Sequence, residues 1–211
     1  MATKNDSLLA SQLSNTLDEE TARSEIYGLL AGVLYAPPAI ELIAQIRVAA
    51  TETPVAGAFL EEPWRNFVGV ARSMSDQAIK AEYEALFGGV GKPEIYLYGS
   101  HYLSGFLNEK PLARLRTDLN KLGLERSEVM SDTEDHFAYL CEVMRYLIAG
   151  EDVAVANLTR QREFFSTHIQ PWANLMCDDI QSNTKANFYT SLAELIRAFM
   201  GVEAQGFDML V

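Results

Sequence analysis

Three adjacent side chains, Glu134, Asp135 and His136, combine carboxylates with an imidazole and could move protons between reacting groups. Acid–base catalysis would also need a nucleophile or a metal, and neither stands near them in the sequence. A second interpretation is a polar cluster that binds a positively charged ligand. A third is structural: Asp132 to Asp135 occupy the first turn of a helix, where the helix dipole stabilises acids, and His136 covers the helix end.

The histidines and cysteines match no common metal pattern. A di-iron bundle needs Glu-x-x-His pairs, but no glutamate stands three residues before His101, His136 or His168. Cys141 and Cys177 do not form a C-x-x-C zinc motif, and we interpret them as reduced thiols of a cytosolic protein. The sequence therefore predicts no metal site and no cofactor.

Two further catalytic motifs are also missing. The segment Gly88 to Lys92 is not a phosphate-binding loop, because Leu86 stands where that motif has its first Gly and Pro93 where it has Ser or Thr. Ser100 lacks the flanking glycines of a G-x-S-x-G nucleophile elbow. We therefore predict no catalytic residue.

The segment Tyr83 to Leu103 combines glycines with rings that have polar tips. Five of the chain's 13 glycines lie between Gly88 and Gly105, a density that ends helices and builds loops. The stretch from Gly88 to Gly105 also carries four such rings: Tyr96, Tyr98, His101 and Tyr102. Rings of this kind suit recognition, because they supply both area and hydrogen bonds, but they could equally fold back into the core.

The charge distribution favours a basic partner or none. The chain has 211 residues and a net charge of −12, and each half, 1–105 and 106–211, carries −6. This distribution argues against nucleic acid and anionic membranes as partners. The longest apolar run, Ile26 to Ala36, is too short to span a membrane, and the first residues do not form an export signal. We therefore expect a cytoplasmic protein with no stable membrane insertion.

Apolar residues recur at helical spacing along the chain, and no segment shows sustained alternation. The sequence therefore predicts an all-α protein, a single helical bundle of roughly eight to ten helices. We expect helices over 16–35, around 42–46, from Pro63, over 76–87 with Ser75 as N-cap, from Pro111 to Leu122, from Ser131 or Asp132 to Ala149, over 152–167, from Pro171, and from Ser182 or Asn183 to Phe199.

The expected domain spans residues 16–200. A flexible N-terminus at 1–15 precedes it, and a C-terminal tail at 201–211 follows it. Two halves, about 16–90 and 106–200, are joined by the loop 88–105. We call this segment the hinge loop, because it is the one credible joint between the halves.

Four segments resemble motifs of the TorD/DmsD/NarJ family of chaperones for molybdoenzymes, in the family's order. They are an aromatic helix end, a loop with Ser between aromatic residues, an acidic segment that ends in His, and a His-x-x-Pro-Trp run: Tyr83 to Phe87, Tyr98 to Leu103, Asp132 to His136, and His168 to Trp172. The segment Asn187 to Leu195 resembles the family's last helix. The resemblance covers about Thr16 to Phe199 and implies a TorD-like helical fold.

The resemblance also implies a function without catalysis. Members bind the twin-arginine signal peptide, and often the body, of an apo-molybdoenzyme such as a DMSO or TMAO reductase, and they delay its export until the cofactor is loaded. Members also form domain-swapped dimers, so a monomer and a swapped homodimer are both compatible with this chain. Carried over by position, the peptide-binding residues are Tyr83, Tyr98, Ser100, Tyr102, Asp135 and His136.

The chain departs from the family pattern in two places. Asp132-Thr133 stand where the signature has Glu-Pro, which keeps the charge but loses the stiffness of proline. The loop aromatics are Tyr where some relatives have Trp. Asp135 is the expected acid for the arginine pair, so Asp135→Asn is predicted to weaken peptide binding without unfolding the protein.

Two other functions stay open beside the chaperone. One is a small hydrolase or transferase that uses Asp135 and His136, which requires a nucleophile within reach of the pair. The other is a purely structural helical subunit of an assembly. That function predicts that Tyr98, Asp135 and His136 can be replaced without effect.

Overall fold

Helices make up the architecture in the described part of the chain. The computed structural model describes residues 4–51, 60–88, 92–127 and 131–209, with the backbone alone for 4–18. The helices are α1 (Lys4–Leu34), α2 (Ile40–Val48), α3 (Glu61–Ser73), α4 (Asp76–Leu86), α5 (Gly99–Ser104), α6 (Lys110–Lys121), α7 (Phe137–Ala149), α8 (Leu158–Phe164), a π-helical turn (Phe165–Ile169), α9 (Gln170–Ser182) and α10 (Phe188–Asp208). The all-α prediction is confirmed.

The core contains the buried apolar residues of α1, α7 and α10 in one cluster. Helix α1 packs mainly on α7, and α10 packs on α3, α4 and α9. The buried stripe of α7 repeats every three or four residues, as a helix with one inward face requires. It consists of Phe137, Leu140, Cys141, Met144, Leu147 and Ile148. These contacts join the two predicted halves of the chain through one continuous core.

A buried ion pair connects the first and last helices. The guanidinium of Arg23 donates to both carboxylate oxygens of Glu203, at 2.6 and 2.9 Å, and the hydroxyl of Tyr27 donates to the same carboxylate at 2.9 Å. Helix α10 also continues beyond its predicted end at Phe199, and the ring of Phe207 packs against Phe165 in the interior. The segment predicted as a tail is therefore helical as far as Asp208.

The start of α10 differs from the prediction for a physical reason. Ser182 and Asn183 were expected to cap this helix, but α9 runs through Ser182 and α10 begins at Phe188. The carboxylate of Glu82, on α4, accepts hydrogen bonds from the backbone N–H groups of Asn187, Phe188 and Tyr189. A buried anion supplied from another helix thus replaces the local cap that the sequence pattern indicated.

The N-terminal segment differs as well, because α1 begins at Lys4 rather than near Thr16 and includes most of the segment expected to be frayed. Four parts of the sequence interpretation lie outside the described residues: 1–3, a break between helices that Thr53-Pro54 indicates, Gly89 to Gly91 of the hinge loop, and 210–211 of the tail.

A short stretch of backbone pairing fixes the hinge loop against the segment before α7. Tyr98 and His136 form an antiparallel bridge. In it, the N–H of Phe137 donates to the backbone carbonyl of Leu97, and the N–H of Gly99 donates to the backbone carbonyl of Asp135. The loop then forms α5, which ends at Gly105 with a φ of +80° that favours glycine. Two segments that are far apart in sequence are therefore held in register at one place.

Candidate functional site

Residues 132–136, which we call the acidic segment, lie before α7 rather than inside it. A helix starting at Ser131 or Asp132 was expected, but α7 begins at Phe137. The backbone around His136 instead pairs with the hinge loop. This pairing uses the N–H of Phe137 and the carbonyl of Asp135, so these two groups are not available for an earlier helical turn. The interpretation that places Asp132 to Asp135 in a first helical turn is therefore wrong, and the three acids of the segment each have different partners.

His136 is the N-cap of α7 and is neutral. Its Nδ1 accepts the N–H of Ala138 at 3.2 Å, so the ring proton resides on Nε2. Burial lowers the pKa of His136 to about 4, although Asp132 and Asp135 act in the opposite direction. The ring edge also contacts Tyr98, with centroids 5.1 Å apart. His136 therefore offers its ring surface and the Nε2–H donor, and it carries no positive charge near pH 7.

Asp135 is a structural acid, because only 3% of it is exposed. One carboxylate oxygen accepts the backbone N–H of Ser100 at 2.8 Å, and the other accepts the hydroxyl of Thr133 at 2.6 Å. Ser100 is itself fully buried at the start of α5. Asp135 therefore fixes the hinge loop from inside, and the side chains of both residues are buried in this structure.

Glu134 belongs to a third interaction, with α6. The guanidinium of Arg116 binds its two oxygens at 3.0 and 2.9 Å, in the planar geometry that makes such pairs strong. Burial alone would raise the pKa of Glu134, but Arg116 holds it below its ordinary value. Glu134 thus stays ionised and anchors the middle of the acidic segment.

Asp132 is the acid that reaches the surface pocket of this region. Its carboxylate accepts the hydroxyl protons of Tyr98 and Ser131. Burial acts against ionisation of Asp132, but these hydrogen bonds hold its pKa below the ordinary value. Asp132 is therefore an anion near pH 7, and it lies between aromatic rings.

The aromatic pocket has a volume of about 340 Å³. It brings together three of the six predicted site residues, Tyr83, Tyr98 and His136, with the acid Asp132. The rest of its described wall comes from the end of α1, the end of α4, the hinge loop and the turn after α5: Tyr35, Phe87, Gly88, Pro93, Ile95, Tyr96, Leu97 and Leu107. Rings and one carboxylate around a cavity suit a cation attached to an apolar chain.

Two predicted tyrosines differ in their position relative to this pocket. Tyr83 lines it with its ring, while its hydroxyl donates to the carbonyl of Leu34 at 3.3 Å. Tyr102 does not line it. Its ring stacks on Trp172 at 5.5 Å, and its hydroxyl binds Asp179 and the carbonyl of Tyr96. Tyr102 therefore joins the hinge loop to α9.

Sequence reasoning missed Tyr35 and did not select Asp132. Tyr35 is 43% exposed at the end of α1, and a polar-tipped ring that closes an apolar helix before Pro37-Pro38 was an available signal. Asp132 occupies the position of the family signature's Glu, but the neighbouring Asp135 was chosen instead. Only the fold shows which of the two acids faces the pocket.

Metal and membrane chemistry find no support in the described ranges. Within 4–51, 60–88, 92–127 and 131–209, no three metal-ligating side chains converge. None of the helices in those same ranges combines the length and the apolar character that crossing a bilayer requires.

The His168 to Trp172 motif has a structural role. It joins the end of the π-helical turn to the start of α9, where the indole N–H of Trp172 donates to the carbonyl of His168 at 2.6 Å. The ring of His168 contacts Asp118 on α6 at 3.0 Å. This motif therefore forms the start of α9, the helix on which α5 packs, and it does not line the aromatic pocket.

Comparison with known proteins agrees with the motifs. A family model described as nitrate reductase delta subunit matches residues 56–178, more than half of the chain, and this range includes Tyr83, Tyr98, Asp132 and His136. Chaperone protein TorD of Vibrio cholerae serotype O1, in two strains, is 23% identical over 205 residues, which cover 90% of this chain and 93% of the relative.

The relatives are named chaperones, in agreement with the prediction that the chain is not an enzyme. The family match covers the hinge loop and the acidic segment together, and the relative extends the likeness to nearly the whole chain. The chain therefore belongs to the nitrate reductase delta subunit family, the family of TorD-like chaperones that its four motifs resemble.

Proposed function

We propose that this protein is a cytoplasmic chaperone for a molybdoenzyme. It binds the twin-arginine signal peptide of the apo-enzyme and delays export until the cofactor is loaded. Family membership supports the maturation role. The aromatic pocket supports the recognition of an arginine-bearing peptide.

One observation carries the proposal: the ionised carboxylate of Asp132 lies in a pocket walled by Tyr35, Tyr83 and Tyr98. A guanidinium is planar, so it can bind a carboxylate through two parallel hydrogen bonds while an aromatic ring covers its face. A lysine ammonium has neither the paired parallel N–H donors nor the planar surface of a guanidinium. The pocket is therefore expected to prefer arginine over lysine, and the net charge of −12 attracts either.

The described contacts give the hydrolase alternative no support. Asp135 and His136 are adjacent in sequence but do not form a dyad. The oxygens of Asp135 accept from Ser100 and Thr133, and Nδ1 of His136 accepts from Ala138. A histidine base that activates a nucleophile is usually oriented by an acid that binds one ring nitrogen. Here Nδ1 of His136 binds the backbone N–H of Ala138 instead.

Calorimetry with synthetic leader peptides tests the proposal. Each twin-arginine peptide is compared with its Lys-Lys counterpart, on the wild type, on Asp132→Asn, and on Asp178→Asn as a control that removes the same charge from the exposed face of α9. Binding at roughly micromolar Kd is expected for one arginine peptide. It should fall at least about ten-fold for the Lys-Lys peptide and for Asp132→Asn, and stay unchanged for Asp178→Asn.

Two results would contradict the proposal. The first is the absence of binding to every arginine peptide tested. The second is equal binding by the wild type and Asp132→Asn, because the assembly-subunit alternative predicts no dependence on the pocket.

A further inference from the structure

We propose that the turn after α5 extends the aromatic pocket and binds apolar side chains of the same peptide. We call it the apolar turn and define it as residues 103–107, with Leu103, Phe106 and Leu107 as its contact residues. This inference rests on the proposed function. It adds a second contact surface and specifies that the ligand must carry an apolar stretch close to its arginine.

The exposure of the apolar turn is unusual for its composition. Phe106 is 72% exposed, Leu103 42% and Leu107 41%, all within five residues of chain. Single exposed apolar side chains are common on protein surfaces, but a group beside a pocket marks a place of interaction. Leu107 also lines the aromatic pocket, so the two surfaces are continuous.

Backbone contacts, rather than side-chain burial, hold the apolar turn in shape. Gly105 has a φ of +80° and Asn108 a φ of +61°, so two left-handed residues flank Phe106 and Leu107. The hydroxyl of Ser104 lies 2.6 Å from the carbonyl oxygen of Ser100 and 3.2 Å from that of Phe106. The turn therefore presents its apolar side chains at little ordering cost to a ligand.

The pattern of charge indicates one occupant. The aromatic pocket offers the anion Asp132, and the adjoining turn offers only apolar contact residues. A single extended segment with a guanidinium and nearby aliphatic or aromatic side chains satisfies both. A second copy of this chain suits the surface less, because two bodies of charge −12 repel each other.

The test uses two peptides and two double variants. One peptide keeps the arginine pair and its apolar stretch, and the other keeps the pair but replaces the apolar residues by serine. The test variant is Leu103→Ser with Phe106→Ser, neither of which lines the pocket. The control is Val153→Ser with Leu175→Ser, two exposed apolar residues on other parts of the surface. Thermal melts confirm that both variants fold.

The expected result is a loss of roughly ten-fold in affinity of the test variant for the apolar peptide, with no change for the serine peptide or for the control variant. Equal affinity of the test variant and the wild type for the apolar peptide would overturn the inference while leaving the proposed function intact. Failure of the wild type to bind either peptide would instead contradict the proposed function. Sedimentation that shows a wild-type dimer broken by Leu103→Ser and Phe106→Ser would assign the turn to a second copy and also overturn the inference.

Discussion

The carboxylate of Asp135 accepts the backbone N–H of Ser100 at 2.8 Å, although the two residues lie 35 positions apart. This bond places an anion at the start of α5, where the unpaired N–H groups of a helix favour one. Asp132, three residues earlier, points into the aromatic pocket. Binding and stability are therefore expected to depend on different members of the same acidic segment.

Replacement of Asp135 by asparagine should destabilise the fold. The amide keeps one acceptor but loses the charge that strengthens the bond to Ser100, which costs roughly 1–3 kcal/mol in the free energy of unfolding. Urea denaturation followed by circular dichroism measures this change. Asp132→Asn is the comparison, since its oxygen still accepts from Tyr98 and its side chain is less buried. Equal unfolding midpoints for Asp135→Asn and the wild type would contradict the assignment of Asp135 as a structural acid.

The pair of Arg116 and Glu134 should couple α6 to the acidic segment. Arg116→Gln leaves a buried carboxylate without its partner and should cost roughly 1–3 kcal/mol, while the double variant with Glu134→Gln should recover part of the loss. Because Arg116 lowers the pKa of Glu134, this contribution is present above the ordinary carboxyl pKa and is lost as the pH falls through the lowered one. A double-mutant cycle at pH 7 gives the coupling energy. Strict additivity of the two single variants would rule the coupling out.

His136 should make the protein less stable in mild acid. Its pKa is about 4 in the folded protein against 6.5 ordinarily, so between these values the unfolded chain takes up a proton and the folded protein does not. The free energy of unfolding should therefore fall as the pH drops from 6.5 to 4, by roughly 3 kcal/mol at the acid end.

The matched variant for this pH dependence is His136→Asn, whose side-chain oxygen can still cap α7. Its unfolding free energy should change less between pH 6.5 and 4. Burial also lowers the pKa of His168, so part of the dependence should remain. Identical pH profiles for the wild type and His136→Asn would show that His136 is not the titrating group.

The two loop tyrosines should separate in their effect on peptide binding. Tyr98→Phe removes the hydroxyl that orients Asp132, so the affinity for an arginine peptide should fall several-fold. Tyr102→Phe removes the hydrogen bonds to Asp179 and to the backbone carbonyl of Tyr96 and keeps the stacking on Trp172. It leaves the hydroxyl of Tyr98 on Asp132 intact, so the affinity should fall less than for Tyr98→Phe. Calorimetry on both variants checks this. A larger loss for Tyr102→Phe would place the peptide on the α9 side of the hinge loop.

The helices were largely predictable because their signals are local. Ser75 accepts the N–H of Ala78 as the N-cap of α4, and Pro171 stands in the first turn of α9, both as the sequence indicated. The starts of α7 and α10 were not predictable by the same means. Their partners are the hinge-loop backbone and Glu82, and a bond across 107 residues leaves no mark in local spacing.

The candidate site was predictable in residue type but not in orientation. The motifs selected Tyr83, Tyr98 and His136, which the fold brings into one pocket. Of the neighbouring acids, the motifs selected Asp135, whereas Asp132 is the one that lines the pocket. The direction of each side chain depends on Ser100 and Arg116, which belong to other elements, and one-dimensional spacing carries no information about them.

The pairing of Arg23 with Glu203 has a consequence for biosynthesis. The two residues are 180 positions apart, so a ribosome finishes α1 long before it delivers the helix that carries the partner of Arg23. During that interval the inner face of α1 has neither its ionic partner nor α10 beside it, and the nascent molecule exposes surface that the finished one hides. A translation product that stops short of Glu203 would keep that surface open, and quality-control proteases that read exposed apolar segments would treat it as unfinished.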